Sequence, residues 1–246
     1  HLEVKAHFKE QAIFYHQDPK AYRDSGTSKV REVMMGDIVE TGENEVMLSL
    51  KILAHAPLER VEIRNGSEVC SIHRPFDASD LGSRFRVIWS GAEYRGRGRQ
   101  TSWKGRADFQ HCRILKMKKI NAWNHEKRLQ TCGTKSVEWD AVTTGNFGGF
   151  DVWLEEGDDA ELDLASNHGS LRIPLNQIDL EDHVLDAGGL ERQIRVFRLP
   201  EINPHREIEH HLQIPLKPNQ DNPLWVCVTT EDGFQAWSCP IFVIPS

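Results

Sequence analysis

The residues of this chain best placed to do chemistry are three arginines. Arg95, Arg97 and Arg99 alternate with Gly96 and Gly98, and Trp103 follows closely. Guanidinium groups donate paired, charge-assisted hydrogen bonds to phosphate or carboxylate. In an extended strand, residues two apart share a face and stand about 6.6 Å apart. The arginines would then form a row, the glycines would leave the opposite face bare, and Trp103 could stack on a sugar or base. Such a row predicts binding of a small anion. The plainer reading is structural: the glycines let the strand bend or approach a neighbour, and the arginines pair with Asp and Glu.

The seven tryptophans (Trp89, Trp103, Trp123, Trp139, Trp153, Trp225 and Trp237) invite a carbohydrate-binding reading. Trp89 and Trp139 fall among inward-facing residues and read as core. Trp153 sits opposite Phe150, Val152 and Leu154, which makes it the best exposed platform, or else filler for a seam between domains. His205, His210 and His211 with Glu207 and Glu209 look superficially like metal ligands. In a strand, however, Glu207, Glu209 and His211 share one face while His210 points away, which gives no zinc-type spacing. Glu155, Glu156, Asp158 and Asp159 around Gly157 could hold calcium, but a solvated hairpin tip explains them more simply. The chain has no GxSxG elbow, phosphate loop or dinucleotide fingerprint. With 37 acidic residues, no catalytic carboxylate pair can be singled out. We therefore assign no catalytic residue, no metal ligand and no cofactor from sequence.

The elements that must position these residues read as strands. A length of 246 residues, 39% hydrophobic and 27% charged, suits one large or two smaller β domains with a real core. The net charge of -7 argues against broad nucleic-acid binding, and the chain has no apolar run long enough to span a membrane. Five cysteines without a CxxC pair read as reduced, mostly buried thiols. The start at His1 reads as a trimmed piece of something longer, so a missing leader says nothing of export and leaves the compartment undetermined, with a lean to the cytoplasm.

The closing stretch Pro223–Val243 organises the rest. Leu224, Val226 and Val228 alternate with Trp225, Cys227 and Thr229; Glu231-Asp232-Gly233 turns; and Trp237, Cys239, Ile241 and Val243 would line one face of the return. An isolated hairpin is marginal, so this one needs partners earlier in the chain. Glu45–Leu53 (Val46, Leu48, Leu50, Ile52) and Leu58–Arg64 (Val61, Ile63) supply them. Asn65-Gly66 reads as a hairpin turn, in preference to the glycosylation acceptor Asn65-Gly66-Ser67. Residues 9–35 read as loop, and Ile178–Leu185 is the one helical candidate, stopping at Gly188-Gly189. The fold class is all-β: an Ig-like β-sandwich from residues 1–78 and 202–246, with a second β-sandwich-like domain, 79–201, inserted.

Several runs carry a resemblance: APLERVEIRNGSEV (56–69), FRVIWSGAEYRGRGRQTSWKG (85–105), VEWDAVTTGNFGGFDVWLE (137–155), LDAGGLERQIRVFRLPE (185–201) and NPLWVCVTTEDGFQAWSCPIF (222–242). In this order they resemble the C-terminal β-rich region of a large uncharacterised bacterial family. The N-terminal part of that family is similar to the PHP (polymerase and histidinol phosphatase) metal-dependent phosphoesterases. The chain contains no His-x-His pair of the PHP type. The resemblance implies a non-catalytic accessory region whose partner is an upstream metal-dependent domain of the same polypeptide. A module for a small anion or glycan, built on Arg95, Arg97, Arg99, Trp103 and Trp153, is the alternative, and a stand-alone hydrolase comes last.

Overall fold

The structure, a computed structural model, describes residues 1–122 and 128–246; Trp123 lies outside the described residues. The protein is all-β, and the helical segments among the described residues are the single 3-10 turns Ala78–Asp80, Gly96–Gly98 and Leu175–Gln177. It divides into two compact units, His1–Pro75 with Pro204–Ser246, and Phe76–Asn203. The first unit opens with β1 (Leu2–Tyr15), β2 (Thr27–Met34), β3 (Ile38–Thr41), β4 (Glu45–Leu53), β5 (Leu58–Asn65) and β6 (Glu68–His73). The second holds β7 (Leu81–Ala92), β8 (Thr101–Ile120), β9 (Leu129–Cys132), β10 (Ser136–Thr143), β11 (Gly148–Ser166), β12 (Gly169–Pro174), β13 (His183–Asp186) and β14 (Leu190–Pro200). The chain then returns to the first unit with β15 (Glu207–Pro215), β16 (Asn222–Thr230), β17 (Gln235–Trp237) and β18 (Ile241–Pro245).

In the first unit the order is β15-β4-β1-β3-β18-β16-β5-β6, with β2 on β1 and β17 on β16. The returning strands lie between and beside the early ones. Val228 pairs with Val61 and Val226 with Ile63, Leu212 with Leu48, and β18 runs parallel to β3 with Val243 opposite Val39. Period-2 alternation puts Val4, Ala6, Leu48, Leu50, Val61, Ile63, Val226 and Val228 into one core. The two ends of the strand order meet: His73 of β6 and His210 of β15 stack with ring centroids 4.0 Å apart. The sheet thus curls on itself and encloses that core.

Three expectations change here. Residues 9–35 are largely strand, because β1 continues to Tyr15 and β2 pairs back on it. Only Val33 of β2 is buried, so this peripheral strand shows no apolar row for sequence reading to find. Second, Trp237 does not face inward; it is 60% exposed. The hairpin ends at Trp237, Pro240 has no N–H to continue a ladder, and β18 begins in a new phase at Ile241. Third, Asn65 pairs with Glu68, so Gly66 (φ 63) and Ser67 make the turn. Asn65 itself is buried, donating from Nδ2 to Asn222 Oδ1 at 2.7 Å, which leaves no room for a glycan.

The second unit is built on two very long strands. β8 and β11 pair from Gly149↔Ile120 to Ser166↔Gly105, with a one-residue slip between Trp153↔Lys116 and Leu154↔Ile114 and a larger break between Glu156↔Cys112 and Glu161↔Gln110. His111 (φ 57) and Asp159 (φ 55) take left-handed backbone at that break, a bulge that bends both strands. On one side of the break β11 also pairs with β7; on the other β11 pairs with β12 and β8 with β10. β7 and β10 are not neighbours in the sheet, yet Trp89 and Trp139 stack at 5.3 Å and 12°. The sheet therefore folds over a core of Phe85, Val87, Trp89, Trp103, Phe109, Trp139 and Phe150.

Two further expectations fail in this unit. Glu155–Asp159 is no hairpin tip, because β11 runs through it as the bulge. Ile178–Leu185 is not helical, because β14 takes its backbone: Arg198 N donates to Asp179 O at 2.8 Å, and Val184 pairs with Arg195.

Candidate functional site

The arginines do not form a row. Between β7 and β8 the chain makes a 3-10 turn over Gly96–Gly98, with Gly96 at φ +80 and Arg99 N donating to Gly96 O at 3.3 Å. At roughly three residues per turn, residues two apart point about 240° from one another. Arg95, Arg97 and Arg99 therefore fan around an exposed tip. Two glycines explain the turn: neither resists the compact backbone, and Gly96 takes a positive φ that a side chain would oppose. Among the described residues none of these arginines makes an ion pair. Among the described residues Arg23, Arg31 and Arg206 are likewise without an ion pair, whereas Arg64 bonds Glu62, Arg106 bonds Asp108 and Glu138, and Arg172 bonds Glu161. Arg99 lies over the loop before β11, where a Cβ on Gly145 would meet its Nε at 3.3 Å.

Trp103 takes no part in that surface. It is 0% exposed, donates from Nε1 to Thr143 Oγ1 at 2.8 Å, and meets His168 edge-on at 4.8 Å. Its place in the β8 alternation, on the face of Ala107 and Phe109, sends it into the core, so it cannot stack on a ligand. Trp153 is half-buried, with the Arg84 guanidinium 5.0 Å and Lys116 Nζ 4.3 Å from its ring. These cations occupy the ring that a sugar platform would need to leave open. The site residues proposed from sequence are thus not brought together: the arginines stand at a tip, Trp103 in the core, and Trp153 against two cations.

Beneath Trp153 lies a charge cluster that sequence reading did not isolate. Asp151 is 0% exposed. Its Oδ2 accepts from Arg84 Nη2 at 2.6 Å and Nε at 3.1 Å, and from Arg86 Nη2 at 2.9 Å; its Oδ1 accepts from Arg86 Nε at 2.6 Å. Burial alone pushes this carboxyl up, but the two guanidiniums outweigh it and hold Asp151 below the ordinary carboxylate value. The available signal was two arginines alternating with Phe85 and Val87 in a strand buried on both faces.

A small pocket opens at one end of the second unit, lined by Trp89, Ile120, Thr143, Asn146, Phe147 and Gly148 among others. The loop that carries Asn146 is the loop under Arg99. Sequence reading placed Trp89 in the core, where it is, but gave no sign that its indole nitrogen lacks a partner.

The histidine-rich lead-in resolves as alternation predicts. In β15, Glu207, Glu209 and His211 face solvent, and His210 turns in against His73. Burial, and then the neighbouring His210, lower the His73 pKa; burial, and then His211, lower that of His210. Among the described residues no group of three His, Cys, Asp or Glu is arranged to hold a metal ion. No helix among them is long and apolar enough to cross a membrane. The five cysteines are free, but Cys70 and Cys239 are exposed and Cys132 is intermediate, so only Cys112 and Cys227 are buried. Compared with protein-family models, curated proteins and solved structures, the chain finds no match.

Proposed function

We propose that this chain is a non-catalytic accessory β region of a larger protein, and that it contributes binding: the Arg95–Arg99 turn contacts a small multivalent anion. One observation carries the binding reading. In a chain of net charge -7, three exposed arginines within five residues lack carboxylate partners, while arginines on neighbouring strands are bonded. Unpaired guanidiniums retain their full donor set for a ligand, and a fan reaches several oxygens at once, which favours a pyrophosphate or a doubly phosphorylated or sulfated sugar over a single phosphate. The accessory role, with an upstream metal-dependent domain as partner, rests on the sequence resemblance. An immunoglobulin-like character of the first unit is supported by the pairing of the last strand parallel to an early one. Calorimetric titration with inorganic pyrophosphate tests the binding. Saturable binding should be lost in the Arg95→Ala/Arg97→Ala/Arg99→Ala variant; equal heats in both proteins refute the reading. Turnover of generic phosphoesters by the isolated chain with Mn²⁺ would refute the accessory role.

A further inference from the structure

We propose that the pocket at the end of the second unit is a binding site for a planar oxygen acceptor, a carboxylate or acyl group, carried on a short apolar stem. This inference is independent of the arginine turn. Its core is the Trp89 indole: the residue is 2% exposed and stacked on Trp139, and its Nε1 has no hydrogen-bond partner. A buried donor without an acceptor is costly and uncommon in folded proteins. The nitrogen lies on the pocket side of the ring, because a Cβ added to Gly148, which lines the pocket, would come within 2.8 Å of it.

Asn121 and Arg128 also line the pocket, Arg128 paired to Glu138 at 2.9 Å, and two further polar lining groups are left with hydrogens to give. Thr143 Oγ1 already accepts from Trp103 Nε1, so its own hydroxyl hydrogen remains. Asn146 Oδ1 accepts from Thr144 N, so its amide NH₂ remains. The Phe147 carbonyl, an acceptor at the rim, is taken by Asn121 Nδ2. These three donors, with the Arg128 guanidinium also in the lining, favour a ligand that accepts. The remaining wall, Ile120 and Phe147 with Ala141, is apolar and suits a methyl or ethyl stem. The cavity measures about 50 Å³; on that measure one water needs roughly 10–15 Å³. The space therefore admits a handful of heavy atoms, a terminal group and not a whole sugar.

The test follows the indole Nε1–H signals of the full chain by NMR during titration with acetate, butyrate and N-methylacetamide. The first two present a carboxylate and the third a neutral carbonyl. One signal, missing from Trp89→Phe, should move downfield saturably, in the millimolar range that so few heavy atoms allow. Trp89→Phe serves to assign that signal, and the cavity-filling Ala141→Leu should weaken binding at least tenfold. Arg95→Ala/Arg97→Ala, which leaves Arg99 in place over the Asn146 loop, should bind as wild type does, which separates this result from the fate of the anion reading. A carboxylate-only response and a response to all three probes both support the site and decide its preferred charge. No saturable shift, a uniform shift of several indoles, ordered water as the only occupant, or unchanged binding in Ala141→Leu overturns it.

Discussion

Asp151→Asn tests the buried charge cluster of the second unit. The substitution keeps the volume and removes one charge. In the native site both carboxylate oxygens accept, from four nitrogens between 2.6 and 3.1 Å away. An asparagine amide turns one of those acceptors into a donor, facing guanidinium donors whichever way it is rotated. Arg84 and Arg86 are themselves buried, so water cannot replace what is lost. Breaking a buried ion pair by removing one partner costs about 3–5 kcal/mol. For a unit of this size that lowers Tm by about 10 °C or more. Urea unfolding followed by tryptophan fluorescence is a suitable assay, because Trp89, Trp103, Trp139 and Trp153 all lie in this unit. Asp108→Asn, which loosens the exposed Arg106 pair, is the control and should cost no more than about 1 kcal/mol. The pH dependence carries a sign. The folded pKa of Asp151 lies below the unfolded one, so the stabilisation is complete above about pH 4 and is lost as pH falls through the folded value. Wild type should therefore lose stability in acid more steeply than Asp151→Asn. A variant within about 0.5 kcal/mol of wild type would refute the reasoning, since surface changes alone cost that little.

Other consequences follow from the same contacts. His73 and His210 have folded pKa values lowered below the ordinary histidine value. The unfolded chain therefore binds more protons, and stability of the first unit should fall as pH drops below about 6.5; His73→Phe should flatten that decline in a pH series of urea midpoints. Gly105→Ala places a Cβ 2.3 Å from Trp139 Cζ2 and 2.8 Å from the Ala165 carbonyl. It should cost about 1–3 kcal/mol by overpacking and alter the near-UV circular dichroism of the stacked pair. Trp103→Phe removes the bond to Thr143 and leaves a hydroxyl buried. A loss of about 1 kcal/mol in denaturant midpoint is expected, with pyrophosphate binding unchanged because Trp103 does not reach the turn.

Strands with one buried face were legible in sequence because alternation is a direct image of that burial. Val46 to Ile52, Val61 with Ile63, and Leu224 to Val228 all point where their spacing places them. Two kinds of element were not. β2 buries one residue and so carries no period, and the stretch at Ile178–Leu185 adopts strand only because β14 is there to pair with it. Of the two long strands of the second unit, β11 was legible only as two short ones about a tip at Glu155–Asp159, since the bulge at Asp159 interrupts the pattern without ending the ladder. For the site, sequence shows which residues are arginines but not whether each has a carboxylate in reach. The turn at Gly96–Gly98 is a local property of the glycines, which fit a bend as well as the extended row read from the alternation. The bonding of Arg84 and Arg86 to Asp151, and its absence at Arg95, Arg97 and Arg99, are products of the tertiary fold.

The most direct measurement of the central claim is a crystal structure of the chain soaked with pyrophosphate. The account predicts the anion at the Gly96–Gly98 turn, within hydrogen-bond distance of at least two of Arg95, Arg97 and Arg99. Density for the anion elsewhere, or these guanidiniums bonded to carboxylates of the chain, would contradict it.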